Sequence, residues 1–516
     1  MKLGSLGRAL VLSSMALSLI GCPAKPQNLV APGIQGDSAR NGDEVSSGGS
    51  DSGGSPEWGG SKEGGPTYNG YKGGYDGGGL SEGDDGGGTA PGGLSIDPKK
   101  ELVITDLSVV NDLVRTTGDG AWTFGTLMKR MAGNHDPSQF TKEWLEHWIT
   151  EQTVNGHDVE ARKAMENFVI KPWLEKSGGQ KLDLSKAPFR LLAIVNRADL
   201  RHEGTAGENR FVFNLLDPKG KKTFFNAIFE YGVDLRQVEG DFGERHDLTP
   251  KRRIQLLLEY EERWHQLASL PYGEEYNAAL QQLTDLFSGE GANPTKPNGN
   301  GLNQLRTNEI QLGLLNAIDD KGKFHPELAK PWELREFKVG DDGYLDEVSP
   351  ALTPDPSFNG TARLAEVINS QEAAELKDAA TLPPDMGCGS ALVPGAFGEP
   401  PIVWNAPGIT NPEARFHFAL NTCNGCHLVE AGLNKPLVPG ISFLQIQPRD
   451  PDKEAVLSKF MIGPDNVQDP ANPALSHDLN DVQRRVKDLM TILSYRYTPN
   501  RRITHEMEEP FPGRTD

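Results

Sequence analysis

F-V-F-N-L-L-D-P-K-G-K-K-T-F-F-N-A-I-F-E-Y, Phe211 to Tyr231, reads as two strands joined by a turn. Phe211 to Leu216 and Thr223 to Tyr231 hold the aromatic and β-branched residues that suit a pleated, buried surface. Between them Pro218 presets the first turn dihedral and Gly220 can take a positive φ, which makes D-P-K-G a hairpin connection. Working outward, F-R-L-L-A-I-V-N, Phe189 to Asn196, is a short apolar run of buried-strand type. W-E-L-R-E-F-K-V, Trp332 to Val339, reads as a further strand.

Helical signals lie on either side of these strands. Thr141 to Thr150 places Trp144 and Trp148 four apart, a buried helical stripe. Thr249 is an N-cap and Pro250 the first residue of a helix whose apolar side is Ile254, Leu257, Leu258 and Trp264. A second helix, Glu274 to Phe287, completes a helical hairpin. The fold class is therefore α+β, with a central antiparallel or mixed sheet.

Two polar stretches sit within this pattern. N-R-A-D-L-R, Asn196 to Arg201, puts Arg197, Asp199 and Arg201 at a strand end near Glu208 and Arg210. Surface ion pairing is the expectation and a lined pocket the alternative. L-N-Q-L-R-T-N-E-I, Leu302 to Ile310, reads as a capped helix with a hydrophilic face, the alternative being a polar site. D-D-G-Y-L-D-E, Asp341 to Glu347, lacks the spacing of a helix–loop–helix calcium site. His265 reads as structural.

The chain of 516 residues is long enough for two to four domains. A net charge of −20 argues against nucleic acid, which needs a basic face, and against an anionic membrane surface. Over a third of the 59 glycines fall between Gly42 and Gly93, so residues 22–99 read as a flexible tether that cannot bury apolar surface. Residues 100–345 follow as the α+β domain, 346–408 as a Pro/Gly-rich connection and 409–516 as a C-terminal, mostly α unit. No Walker loop, G-x-S-x-G, H-E-x-x-H or dinucleotide fingerprint occurs, so hydrolase and nucleotide chemistry lack a handle.

The N-terminus has Lys2 and Arg8 before an apolar run from Ala9 to Ile20, too short to span a bilayer, ending in L-I-G-C. This resembles the bacterial lipoprotein signal. The resemblance implies removal of residues 1–21 and lipidation of Cys22, with several acyl chains holding the protein on a membrane. Pro23, in place of the aspartate associated with retention at the inner membrane, directs the expectation to the outer membrane, facing the periplasm or the cell surface.

N-T-C-N-G-C-H, Asn421 to His427, contains C-x-x-C-H, the signature of c-type haem attachment. Cys423 and Cys426 would add to the two vinyl groups and His427 would become the proximal ligand. A Cys423–Cys426 disulfide, a pairing of either with Cys388, and a zinc site from Cys388, Cys423, Cys426 and His427 or His417 remain alternatives.

The flanks are similar to the class I c-type cytochromes over roughly residues 409 to 500. Asn411 to Leu420 stands where the family has a helix leading into the attachment site, with Phe416 or Phe418 as its packing aromatic. K-P-L-V-P-G resembles the family's P-x-L-x-G, with Pro436, Val438 and Gly440 in register and Val438 in place of leucine. The resemblance implies that the Pro436 carbonyl orients His427, and that a final helix, His477 to Arg496, packs against the first. The family's distal methionine has no counterpart at its usual spacing. Met461 lies earlier, His477 later, and an open sixth position is the third option; Met490 reads as core. The strings F-V-F-N, N-Q-L-R-T-N-E-I, W-E-L-R-E-F and F-A-L-N-T-C-N-G-C-H also look like a group of large bacterial lipoproteins, which bears on architecture alone.

The expected function is one-electron transfer through a covalent haem c with a redox partner protein, closer to a carrier than a catalyst. The alternatives are a haem-free surface lipoprotein acting as a binding module, and a peroxidase-like centre with an open iron.

Overall fold

The computed structural model describes residues 94–495 apart from 203, 241, 243–247, 320, 326–327, 330–331, 351–352, 376–381, 384, 387–388, 390–401, 433–443 and 464–465. Cys22, the tether up to residue 93, Cys388, Pro436, Val438 and Gly440 lie outside the described residues.

Seven strands form one sheet: β1 (Val103–Ile104), β2 (Phe189–Arg197), β3 (Thr205–Leu216), β4 (Lys222–Asp234), β5 (Leu302–Glu309), β6 (Glu333–Val339) and β7 (Leu345–Val348). Each pairs with the next in chain order and every pair is antiparallel, so the architecture is α+β around an antiparallel sheet. The D-P-K-G turn closes β3 onto β4. Asp217 Oδ1 accepts from the amides of Lys219 and Lys221, and Gly220 takes φ +79°, a conformation that glycine adopts without the Cβ clash other residues meet.

Leu302–Glu309 is a strand, not the hydrophilic helix expected from its polarity. The reason is the period: Leu305 pairs with Phe229 on one side and Phe337 on the other, while Arg306 pairs with Ile228 and Glu336 one residue along. Successive side chains therefore leave opposite faces of the sheet.

The front face is aromatic. Phe211, Phe229, Leu305 and Phe337 lie in register across β3 to β6. Helix α1 (Phe124–Ala132), capped by Thr123, sets Phe124 flat on Phe189 at 3.8 Å and edge-on to Phe229 at 5.4 Å. Such pairs add about 0.5–1.5 kcal/mol each beyond the area they bury. Helix α2 (Pro137–Glu146) is capped by Asp136 and brings Trp144 into the same core. It ends before Trp148, which nonetheless packs edge-on against Trp144. The expected helical hairpin is present as α3 (Pro250–Gln266), capped by Thr249, and α4 (Glu274–Ser288). His265 is half-buried and its Nδ1 sits 2.8 Å from Glu101 Oε2.

The back face of the same strands is polar. Glu230 pairs with Arg210 and Gln304, Arg306 with Ile228 and Glu336, and Asn226 with Asn214 and Asn308. It is buried because the chain beyond residue 400 covers it, and the segment Leu444–Ile446 lies against it. α5 (Ala362–Ser370) packs with Trp404, Ala414 and Phe418 in a separate small core, and α6 (Pro412–Leu420) and α7 (Asp481–Ser494) belong to the covering chain. Phe416, Leu420, Ile446, Phe460, Val486 and Leu489 belong to the same continuous core as the sheet. Among the described residues no helix is long and apolar enough to cross a membrane.

Candidate functional site

Helix α6 begins at Asn411, whose side chain accepts from the amides of Glu413 and Ala414, and ends at Leu420 as expected from its sequence. Thr422 then starts the turn that carries the cysteine motif, accepting from the Gly425 amide. Both residues between the cysteines have structural tasks. Asn424 accepts from Trp404 Nε1 at 2.9 Å and donates to the Ile402 carbonyl. A Cβ on Gly425 would lie 1.8 Å from the Ala419 carbonyl oxygen, so only glycine fits this approach. The turn Gly425–Val429 delivers Cys426 and His427 into the interior.

Cys423 and Cys426 are buried and not bonded to each other. Thr353 Oγ1 donates to Cys423 Sγ at 3.1 Å, and Gln445 Nε2 donates to Cys426 Sγ at 3.1 Å. His427 is buried with its ring 4.9 Å from that of Trp332, whose Nε1 donates to Asn308 Oδ1. Among the described residues no group of three His, Cys, Asp or Glu side chains is arranged to hold a metal ion.

His427 lines a cavity of about 50 Å³ between the back face of the sheet and the C-terminal segment. That volume is well below the roughly 300–1,000 Å³ of small-molecule and cofactor pockets. The sheet contributes Val195, Arg210, Val212, Ile228, Glu230 and Arg306. The covering segment contributes His427, Gln445, Met461 and Arg485. Met461 stands on a single helical turn, Lys459–Ile462, capped by Ser458, and its Sδ lies 3.8 Å from Arg485 Nη2. Of the two side chains expected to compete for the sixth iron position, Met461 shares the lining with His427. His477 is instead stacked on Phe416 at 3.5 Å, with Nε2 3.1 Å from Asp469 and Nδ1 3.4 Å from Glu413. Met490 is partly buried against the core, as expected.

The charges expected at the surface are inside. Arg197, Asp199, Arg201, Glu208 and Arg210 are each at most 6% exposed, because α7 and the covering segment close over the strand ends. Arg197 pairs with Asp199 at 2.9 Å, Arg201 with Asp488 at 2.5 Å, and Arg484 bridges Asp199 and Asp481 at 2.8 Å. The Arg201–Asp488 and Arg484–Asp199 pairs hold α7 to the strand ends, and it also packs on α3 and on the Lys459–Ile462 turn. Burial would raise the Asp199 carboxyl, but Arg197, Arg484 and Arg485 hold it well below the usual range. Facing the cavity, burial would lower Arg306, yet Glu230, Glu336 and Cys423 raise it. A second buried cluster lies beside His477: Arg415 grips Glu430 at 2.9 and 3.1 Å and Asp469 at 2.9 Å.

No family model, curated protein or solved structure matches this chain.

The cavity's sheet wall was visible in the sequence only as polar stretches. Arg210, Glu230 and Arg306 alternate with large apolar residues along β3 to β5, and that alternation was the available signal.

Proposed function

We propose that residues 409–516 hold a covalent c-type haem, as their likeness to class I cytochromes implies, and that the protein transfers single electrons. The observation that carries this reading is that His427 and Met461 line one cavity, with Cys426 adjacent to His427 in sequence. Bound there, a haem supplies a one-electron couple whose potential is raised by a methionine ligand.

The residues present fit the group in part: His427 and Met461 line the cavity, whereas Cys423 and Cys426 do not, and its space is smaller than a porphyrin. Cys423 and Cys426 are free of any mutual bond, as thioether formation requires. Val195, Val212, Ile228, Leu334, Leu444 and Ile446 would give a porphyrin apolar walls, while Arg210, Arg306 and Arg485 are paired with Glu208, Glu336 and Asp481. In this reading Cys22 anchors the protein to the outer membrane and the electron comes from, or goes to, a partner protein.

A second reading is a haem-free lipoprotein with a ligand in the same cavity. It is favoured by the cysteine sulfurs, which accept from Thr353 and Gln445 and whose residues are not among those lining the cavity. Mass analysis of the proteolytic peptide spanning Cys423 to His427, from protein exported in a host with cytochrome c maturation, separates the two. A peptide carrying the mass of haem supports electron transfer; an unmodified dithiol peptide supports the second reading.

A further inference from the structure

Lys296 stands in the loop of residues 289–301 that leads from α4 into β5, and its amine is turned onto that strand. Nζ donates to the carbonyls of Gly301 and Leu302 at 3.0 and 3.2 Å and to Asn303 Oδ1 at 2.6 Å. The other end of the Asn303 amide is held as well: Nδ2 donates to Glu208 Oε2, on β3, at 3.3 Å. Gly232 on β4 leaves room for this, since a Cβ there would lie 2.6 Å from Asn303 Oδ1 and displace the amide. The loop is pinned from outside. Asn298 Nδ2 donates to the carbonyls of Met131 and Gly343, and Gln237 Nε2 to that of Ala292. Amine, amide and carboxylate are thus set side by side.

We infer that Lys296 and Asn303 join in an isopeptide bond, with Glu208 passing the proton to the leaving nitrogen. The bond from Lys296 Nζ to Asn303 Cγ forms and the Cγ–Nδ2 bond breaks. The proton given up by Nζ moves through Glu208 Oε2 to Nδ2, which departs as ammonia. A primary amine and a primary amide thereby become a secondary amide and one ammonia. No oxidant, reductant or cofactor takes part, so the inference is independent of the haem reading.

An ammonium has three N–H donors, and three acceptors surround Lys296 Nζ. The uncharged amine keeps two donors, which suit the two backbone carbonyls. Its lone pair then takes the third direction, toward the Asn303 amide. Loss of one proton therefore turns the shortest contact into a line of attack. Burial favours that loss: it pushes Lys296 down to about 8, against Glu208 and Asp234, which raise it. A desolvated lysine is an activated nucleophile. Held groups of this kind need no bimolecular encounter, and effective molarities of about 10⁵–10⁸ M are open to well-oriented pairs. Glu208 is itself held in place, accepting from Gln304 Nε2 at 3.2 Å and paired with Arg210 at 2.9 Å. Hydrogen bonding by an intact ammonium is the competing description, and it leaves the mass of the chain unchanged.

The test is peptide mapping by tandem mass spectrometry of the purified full chain. The wild-type peptide spanning Lys296 and Asn303 is expected to be lighter than its sequence by one ammonia. It is also expected to give no backbone fragments from Pro297 to Leu302, because the cross-link closes a ring there. Lys296→Arg and Asn303→Ala are each expected to restore the full mass and the missing fragments. A wild-type peptide of full mass overturns the inference. So does an ammonia loss that fragments place on Asn298 or Asn300, each followed by glycine, which is succinimide formation. The wild-type peptide decides alone should either variant fail to fold. Glu208→Gln, folded by circular dichroism, is expected to stay largely unlinked, and full linkage in it overturns the part given to Glu208. Glu208→Asp, which draws the carboxylate back from Nδ2, takes its place should Glu208→Gln not fold.

Discussion

Arg485 Nη2 approaches Met461 Sδ to 3.8 Å, while the same guanidinium is tied to Asp481 at 2.5 Å. The C-terminal helix thus fixes the thioether that shares a cavity with His427. The sheet and the C-terminal segment are consequently two walls of one site.

Met461→Ala is expected to remove the sixth ligand and lower the reduction potential, because methionine ligation raises it. His477→Ala is expected to leave the potential near that of the wild type, since its ring nitrogens face Asp469 and Glu413. Redox titration of both variants checks the contrast. Loss of the buried Met461 side chain is also expected to cost about 2–5 kcal/mol of stability, read by denaturant unfolding.

Stability should fall as pH rises through neutrality. Burial, reinforced by Asp488 and Asp199 and opposed by Asn196 and Arg201, pushes Glu261 up to about 8. The folded protein therefore keeps a proton that the unfolded chain releases near the ordinary glutamate value. The contribution is full below about 4.5 and is lost as pH rises toward about 8. Glu309 and Glu347, each raised to about 7 by burial, act in the same direction. Glu261→Gln keeps the acceptor for Asn196 Nδ2 and is expected to flatten part of this dependence, by on the order of a few kcal/mol. Thermal melts of both proteins at mildly acid and mildly alkaline pH measure it.

Arg415→Ala leaves Glu430 and Asp469 buried without their cation. Breaking such a pair costs about 3–5 kcal/mol, so the variant is expected to unfold at markedly lower denaturant. Because Arg415 also donates to the Trp404 carbonyl, and Trp404 to Asn424, the cysteine turn should loosen with it. Faster thiol labelling of Cys423 and Cys426 in protein produced without haem is the expected sign.

Cys22→Ser is expected to move the protein from the membrane to the soluble fraction, because the apolar run before it is too short to span a bilayer. Fractionation after export, with membrane retention as the contrary outcome, checks it.

How far the sequence alone reaches depends on where the determining contacts lie. Phe189–Arg197, the hairpin at Asp217–Gly220 and the helix after Thr249 are set by local periodicity, turn chemistry and capping, and all were legible. Leu302–Glu309 was not, because its polar residues are buried by pairing with Glu230 and Glu336 on other strands. The same holds for Arg197, Asp199 and Arg201, which read as surface charges until α7 is seen to cover them. The cysteine motif announces itself by spacing. That Met461 rather than His477 shares its cavity is information about tertiary packing, which spacing does not contain.

The most direct measurement is a pyridine haemochrome spectrum of the full chain exported in a host with cytochrome c maturation. The account predicts a c-type α band that disappears in the Cys423→Ser, Cys426→Ser double variant. A folded wild-type protein without that band would contradict it.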